Sequence, residues 1–186
     1  KPRSQDLKSF KKKVTKKILR ALEKNPQAVL PKDWYFSKSI DFQGGAYGTA
    51  ILSKFPISDT ITYTLPNPEN AEPRSLSVAT LHLKDSVKLR FGNTHLDYTN
   101  ETNNLAQVKA MIKASDGLSS ELRIMLPLVT NLAEIDEALL LISRCFKEAL
   151  DEGFKVKKPL VGVLIEVPAA VYLAGPIARR VDFLSV

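Results

Sequence analysis

Cysteine is almost absent: Cys145 is the one cysteine in 186 residues. Neither an intrachain disulfide nor a thiolate zinc cluster can therefore form, and a reducing compartment is expected. No apolar run reaches the roughly 18 residues that a membrane-spanning helix needs. The first residues, Lys1-Pro2-Arg3-Ser4, lack the charged-then-apolar pattern of a secretory leader, so the expected location is cytoplasmic. There is no internal repeat, and no low-complexity tract beyond one lysine run. What remains is a chain with 44% apolar and 25% charged residues, the composition of a globular protein of one or two domains and not of a disordered one.

The net charge of +7 is concentrated at one end. Residues 1–40 carry 12 Lys/Arg against 3 Asp/Glu, whereas residues 41–117 and 118–186 are each within one charge of neutral. In the first segment Leu7, Phe10, Val14, Ile18 and Leu22 form one helical stripe, and Lys12, Lys13, Lys16, Lys17, Arg20 and Lys24 fall mainly opposite it. Ser4 suits the N-cap, and Asn25-Pro26 suits the stop. Two readings stand: a solvated outer face on a helix packed against the core, or an anion-binding surface for nucleic acid or acidic lipid over residues 1–24. Leu30 to Phe36 reads as a connector with an aromatic anchor, which makes residues 1–37 a basic arm and linker.

Residues 38–117 read as strands: Ala46 to Phe55, Thr60 to Leu65, Arg74 to Leu83 and Val87 to Leu96. They are rich in β-branched residues and separated by Pro56, Pro66-Asn67-Pro68 and Lys84-Asp85-Ser86. Short connections imply an antiparallel meander, followed by a helix from Thr102 to Ala114. Alternation places Leu89, Phe91, Asn93 and His95 on one face. Three stretches here, Gly44-Gly45-Ala46-Tyr47-Gly48-Thr49-Ala50-Ile51-Leu52-Ser53-Lys54-Phe55-Pro56-Ile57, Glu72-Pro73-Arg74-Ser75 and Asn93-Thr94-His95-Leu96-Asp97, resemble the endonuclease/exonuclease/phosphatase superfamily over residues 38–114. The resemblance implies a two-sheet α/β sandwich and Mg²⁺-dependent phosphoester hydrolysis, with His95 near the scissile phosphate, Arg74 supporting it and Asp97 beside them. Imidazolium and guanidinium both suit a developing phosphoryl charge. The other reading of His95 is a strand-end histidine bonded to a carbonyl. His82 matches no such motif and reads as structural. The family's upstream Asn and metal-binding Glu, and its later Gly-Asp-x-Asn and Ser-Asp-His, have no counterpart in this chain.

From Leu122 the pattern becomes strand, helix, strand, helix, strand. Leu122 to Val129, Leu160 to Val167 and Val181 to Val186 are apolar enough for buried parallel strands. Asn131 with Glu134 forms a capping box for a helix with the stripe Leu132, Ile135, Leu139, Ile142, Phe146 and Leu150, which Gly153 ends. Pro168 opens a second helix that Gly175-Pro176 interrupts. The runs Leu122-Arg123-Ile124-Met125-Leu126-Pro127-Leu128-Val129, Gly162-Val163-Leu164-Ile165-Glu166-Val167-Pro168-Ala169-Ala170 and Arg180-Val181-Asp182-Phe183-Leu184-Ser185-Val186 resemble enzyme I of the bacterial phosphotransferase system, in its nitrogen-related branch. The resemblance implies a (β/α)8 barrel that binds phosphoenolpyruvate with Mg²⁺ and passes the phosphoryl group to a histidine on a separate domain. Glu166 carries over as a metal ligand; its other reading is a carboxylate capping the next helix. The family's second metal ligand, catalytic cysteine and phosphohistidine domain have no counterpart here, and Cys145 lies mid-helix.

The expected fold is therefore mixed α/β: a basic helix, an antiparallel sheet fragment over residues 38–117, and a βαβαβ parallel fragment of a (β/α)8 barrel over residues 118–186. The expected function is a mosaic, or chimera, of two incomplete phosphoryl-chemistry enzymes without turnover of its own. If the chain is active, Mg²⁺-dependent phosphoesterase or nuclease chemistry through His95 and Arg74 is the expectation ahead of phosphoenolpyruvate-protein phosphotransfer. Open sheet edges also imply self-association.

Overall fold

The computed structural model describes residues 33–186. The basic helix, and with it the anionic-partner surface of residues 1–24, lies outside the described residues. The fold is mixed α/β, with antiparallel strands first and a parallel sheet interleaved with helices after them. Two compact units divide the chain between Asp97 and Tyr98.

In the first unit, β1 (Asp33–Phe42) and β2 (Gly45–Ser53) form an antiparallel hairpin, with Phe36 opposite Ala50 and Lys38 opposite Gly48. Gln43 and Gly44 join them, both at positive φ (48° and 74°). That left-handed pair is the hairpin turn whose twist matches its strands, and Gly44 adopts it without steric cost. β3 (Ile57–Thr64), β4 (Ser75–His82) and β5 (Lys88–Thr94) form a second antiparallel sheet with β4 in the middle. Leu76 lies opposite Tyr63 on one side and Thr94 on the other. The expected single meander is thus two sheets, because pairing stops at Ser53 and resumes at Ile57 with a different partner. The expected connector at Leu30–Phe36 becomes strand from Asp33.

Hydroxyls join the two sheets. Ser37 Oγ donates to Thr62 Oγ1 at 2.9 Å, Ser39 and Ser75 hydroxyls lie 2.6 Å apart, and Thr49 and Ser77 hydroxyls lie 2.8 Å apart. Asn93 Nδ2 donates to the Ala50 carbonyl at 3.0 Å. Ser37, Ser75 and Ser77 are buried, which is tolerable because each hydroxyl has a partner. Phe42, Tyr47, Ile61 and Phe91, by contrast, are exposed.

The second unit begins with α1 (Glu101–Lys113), capped by Asn100, whose side chain accepts from Asn103 N at 3.0 Å. Then come β6 (Arg123–Leu126), α2 (Leu132–Asp151), β7 (Leu160–Leu164), the short helices α3 (Pro168–Tyr172) and α4 (Ala174–Ala178), and β8 (Phe183–Ser185). The strands are parallel in the order β6-β7-β8. Asp182 fixes the entry to β8: its N–H donates to Val161 O at 2.7 Å, and its Oδ2 accepts from Val161 N at 2.8 Å. Pro176 has no N–H to offer the carbonyl of Tyr172, four residues back, so the expected interruption appears as the break between α3 and α4.

Residues Val129, Ile135, Val163, Ala170 and Ile177 form a buried cluster, with Leu126, Leu132, Leu139 and Ile165 packed around it. Burying each branched side chain contributes about 1.5–3 kcal/mol. α1 and α2 run in the same direction. The Cys145 thiol meets the Leu105 carbonyl at 3.5 Å, Lys109 Nζ meets Glu148 Oε2 at 2.9 Å, and Lys113 bonds Glu152. Strand, helix and strand therefore repeat with parallel helices, as in part of a (β/α) barrel. No described helix is long and apolar enough to cross a membrane.

Candidate functional site

β7 is the middle strand of the parallel sheet, and its buried run Val161-Gly162-Val163 carries the chain to Glu166. Ile165 N–H still donates to Ser185 O at 2.8 Å, so the backbone is held in line with β8 until one residue before the carboxylate. The C-terminal ends of parallel strands are where such sheets place their chemistry. Glu166 is exposed there.

Its carboxylate does not cap α3. Val167 is the N-cap of that helix, Pro168 opens it, and no side chain bonds its first turn. Instead Glu166 Oε1 accepts the backbone N–H of Leu128 at 2.8 Å, across from the loop that follows β6. Leu128 has φ +54°, the left-handed region that non-glycine residues enter at a cost. Its side chain is 66% exposed, so packing does not account for the conformation. Among the described residues Glu166 makes no other hydrogen bond or ion pair, which leaves Oε2 available.

Glu134, at the start of α2, differs. It accepts from Thr130 N, Thr130 Oγ1 and Asn131 Nδ2, each at 2.8 Å, while Asn131 Oδ1 accepts from Glu134 N at 3.1 Å. The Thr130 backbone N–H, first among these donors, holds its carboxyl below the usual carboxylate range. Its oxygens are already committed to the cap, as the capping box implies.

The three other candidates belong to the first unit. Arg74 immediately precedes β4 and His95 immediately follows β5. With Leu76 opposite Thr94, and Thr94 Oγ1 donating to Ser75 O at 2.9 Å, both stand at the same end of that sheet. Arg74 is buried; Nη1 lies 2.8 Å from Glu72 Oε1, and among the described residues Nε has no hydrogen-bond partner. Asp97 is buried and His95 is exposed. His82 bonds Ser58 Oγ through Nε2 at 2.7 Å, and its backbone N–H donates to Pro56 O, a structural pairing that ties β4 to β3 and its entry. No group of three or more His, Cys, Asp or Glu residues that could hold a metal occurs among the described residues.

The family model described as PEP-utilising enzyme, PEP-binding domain, matches residues 93–186. A protein of Escherichia coli (strain K12) named phosphoenolpyruvate-dependent phosphotransferase system is 43% identical over 83 residues, covering 44% of this chain and 11% of that protein. Its counterpart in Salmonella typhimurium is 41% identical over 83 residues, with the same coverage. A phosphoenolpyruvate-protein phosphotransferase of Cupriavidus necator is 38% identical over 84 residues, covering 44% of this chain and 14% of that protein. The chain thus spans about one-ninth to one-seventh of the length of these curated relatives.

These matches correct the functional expectation. The matched stretch begins at Asn93 and takes in His95, Asp97 and the whole of α1, which the sequence reading had assigned to a metallophosphoesterase-like segment. The family model is that of a PEP-binding domain and the relatives carry phosphotransferase names, so the expected preference for a Mg²⁺-dependent phosphoesterase, and the endonuclease/exonuclease/phosphatase and hydrolase identity behind it, are overturned. The hydrolase resemblance rested on short strand-end motifs, and strand ends of the Thr-His-Leu kind recur in unrelated sheets. Glu166, the expected metal ligand, stands at the C-terminal end of the middle parallel strand. The Leu128 N–H beside it was not foreseen, because an exposed leucine after a proline carries no signal for positive φ.

Proposed function

The chain belongs, through residues 93–186, to the PEP-utilising enzymes by their PEP-binding domain, and from that membership we propose that this segment forms part of the wall of a phosphoenolpyruvate site. In this reading the whole protein takes the phosphoryl group from phosphoenolpyruvate and passes it to a protein histidine. The observation that carries the reading is Glu166: an exposed carboxylate at the C-terminal end of the central parallel strand, with one oxygen held by a backbone N–H and the other available.

Mg²⁺ fits that donor. It prefers hard oxygen ligands, takes one or two carboxylates, and completes its shell with substrate oxygens and water. When bound, it would neutralise charge on the phosphate and on the developing enolate oxygen. Glu166 would be the residue to hold it, through its carboxylate. One carboxylate is a partial donor set, so the chain by itself is expected neither to bind Mg²⁺ tightly nor to transfer phosphate.

Grafting tests the reading. Residues 98–186 would replace the matching stretch of the Escherichia coli relative, and phosphoenolpyruvate-dependent phosphoryl transfer would be measured. A folded hybrid that still transfers supports the proposal; a folded hybrid with no transfer argues against it.

A further inference from the structure

We infer that the apolar stripe of residues 7–22, a segment outside the described residues, docks on the outward face of the β1–β2 hairpin. The polarity of this hairpin is inverted. Its face toward the second sheet carries hydroxyls: those of Tyr35 and Thr62 lie 2.6 Å apart, Ser37 donates to Thr62 at 2.9 Å, and those of Thr49 and Ser77 lie 2.8 Å apart. Alternation sends Trp34, Phe36, Ala50 and Leu52 to the other face, with Trp34 opposite Leu52 and Phe36 opposite Ala50. The apolar side therefore points away from the partner sheet. A two-stranded hairpin is marginal unless a further layer covers its apolar face, and Leu52, 48% exposed, still has surface to bury.

The chain itself delivers a fitting layer. Leu7, Phe10, Val14, Ile18 and Leu22 recur at helical spacing, and residues 25–32 join that pattern to Asp33, where β1 starts. Asp33 is held in place: its Oδ1 accepts from Trp34 N and its Oδ2 from Ile57 N, both at 2.9 Å. The preceding segment thus arrives one residue before Trp34. Asn25-Pro26 stops the helical pattern, and residues 25–32 reach at most about 26 Å when extended, ample for a reversal. As a helix, residues 7–22 are about 24 Å long, short enough to lie along the ten residues of β1. Folded back, the stripe runs antiparallel to β1. Gly48 and Ala50, small beside Lys38 and Phe36 across the hairpin, give it a shallow seat. Lys12, Lys13, Lys16 and Arg20, mainly opposite the stripe, then face away from the sheet.

Accessibility of a single thiol tests this docking in the full 186-residue chain. Ala50→Cys places a thiol on the outward face, and Cys145 is buried, so labelling reads residue 50. Charging the stripe with Phe10→Asp and Ile18→Asp should speed that labelling about tenfold or more. Lys13→Asp with Lys16→Asp, on the far side of the helix, should leave the rate unchanged. Equal rates in the stripe variant and its parent would overturn the inference, and so would an equal rise in the lysine variant. A nitroxide at Lys17→Cys, with the stripe intact, gives a readout that does not depend on a destabilised chain. It should broaden the amide signals of Phe36 and Ala50 before those of Tyr63 and Val78, which belong to the far face of the second sheet. The reverse order would overturn the inference. Broadening of isotope-labelled chains by a separate spin-labelled copy would assign the face to a second molecule and overturn it as well.

Discussion

Phe183 occupies the space where a side chain on Gly162 would stand: a Cβ built on that glycine would lie 2.3 Å from the ring. The two residues face each other across β7 and β8, and Arg123 of β6 lies with its guanidinium 5.7 Å from the same ring. One absent side chain thus lets an aromatic ring and a cation meet over the middle strand.

Gly162→Ala should therefore destabilise the second unit. The ring must move, and overpacking of this kind costs about 1–3 kcal/mol. Urea unfolding followed by far-ultraviolet circular dichroism would measure it. Pairing Gly162→Ala with Phe183→Leu should recover part of the loss, since the smaller side chain vacates the volume.

The tie between α1 and α2 should depend on pH. Hydrogen bonds from Lys109 hold the Glu148 carboxyl below the usual carboxylate range, with help from Arg144; Lys113 and then Lys109 do the same for Glu152. A carboxylate whose folded value is depressed adds stability above its unfolded value and loses it as pH falls through the folded one. Melting temperature should drop on acidification from about pH 6 to about pH 3, and the slope should flatten in Lys109→Met. Lys109 itself is raised, chiefly by Glu148, so its share persists at neutral pH and fades only in strong alkali.

Cys145 should be inert. Burial, with Glu148 nearby, pushes its thiol up to about 11, and it is fully buried against α1. Thiolate is the reactive form, so a disulfide reagent at pH 8 should label the folded chain far more slowly than the urea-unfolded one. Rapid labelling of the folded chain would mean that α1 separates from α2 in solution.

Much of the second unit was legible because its signals are local. The stripe Leu132, Ile135, Leu139 and Ile142 sets α2, and Asn131 with Glu134 caps it within one turn. Gly153, at φ +88°, closes it as a C-terminal glycine should. The first unit was harder. In β1, Ser37 turns inward to a hydroxyl seam while Phe42 is exposed, so the alternation that marks a half-buried strand is inverted. The change of partner between β2 and β3 depends on residues distant in sequence, and Pro56 announces a turn without saying where the chain pairs next. At the candidate site, Glu166 stands out in the sequence as an acid ending an apolar strand. The Leu128 N–H that orients it belongs to the backbone, which a residue type does not reveal.

One carboxylate, Glu166, carries the proposed function most directly. In the hybrid that carries residues 98–186 in the Escherichia coli relative, the rate of phosphoenolpyruvate-dependent phosphoryl transfer would be compared between Glu166 and Glu166→Gln. Glutamine keeps the size but replaces the anionic oxygen, so kcat/KM for phosphoenolpyruvate should fall about 100-fold or more, with the hybrid still folded. A Glu166→Gln hybrid that transfers within about twofold of its parent would contradict the assignment of Glu166 to the phosphoenolpyruvate site.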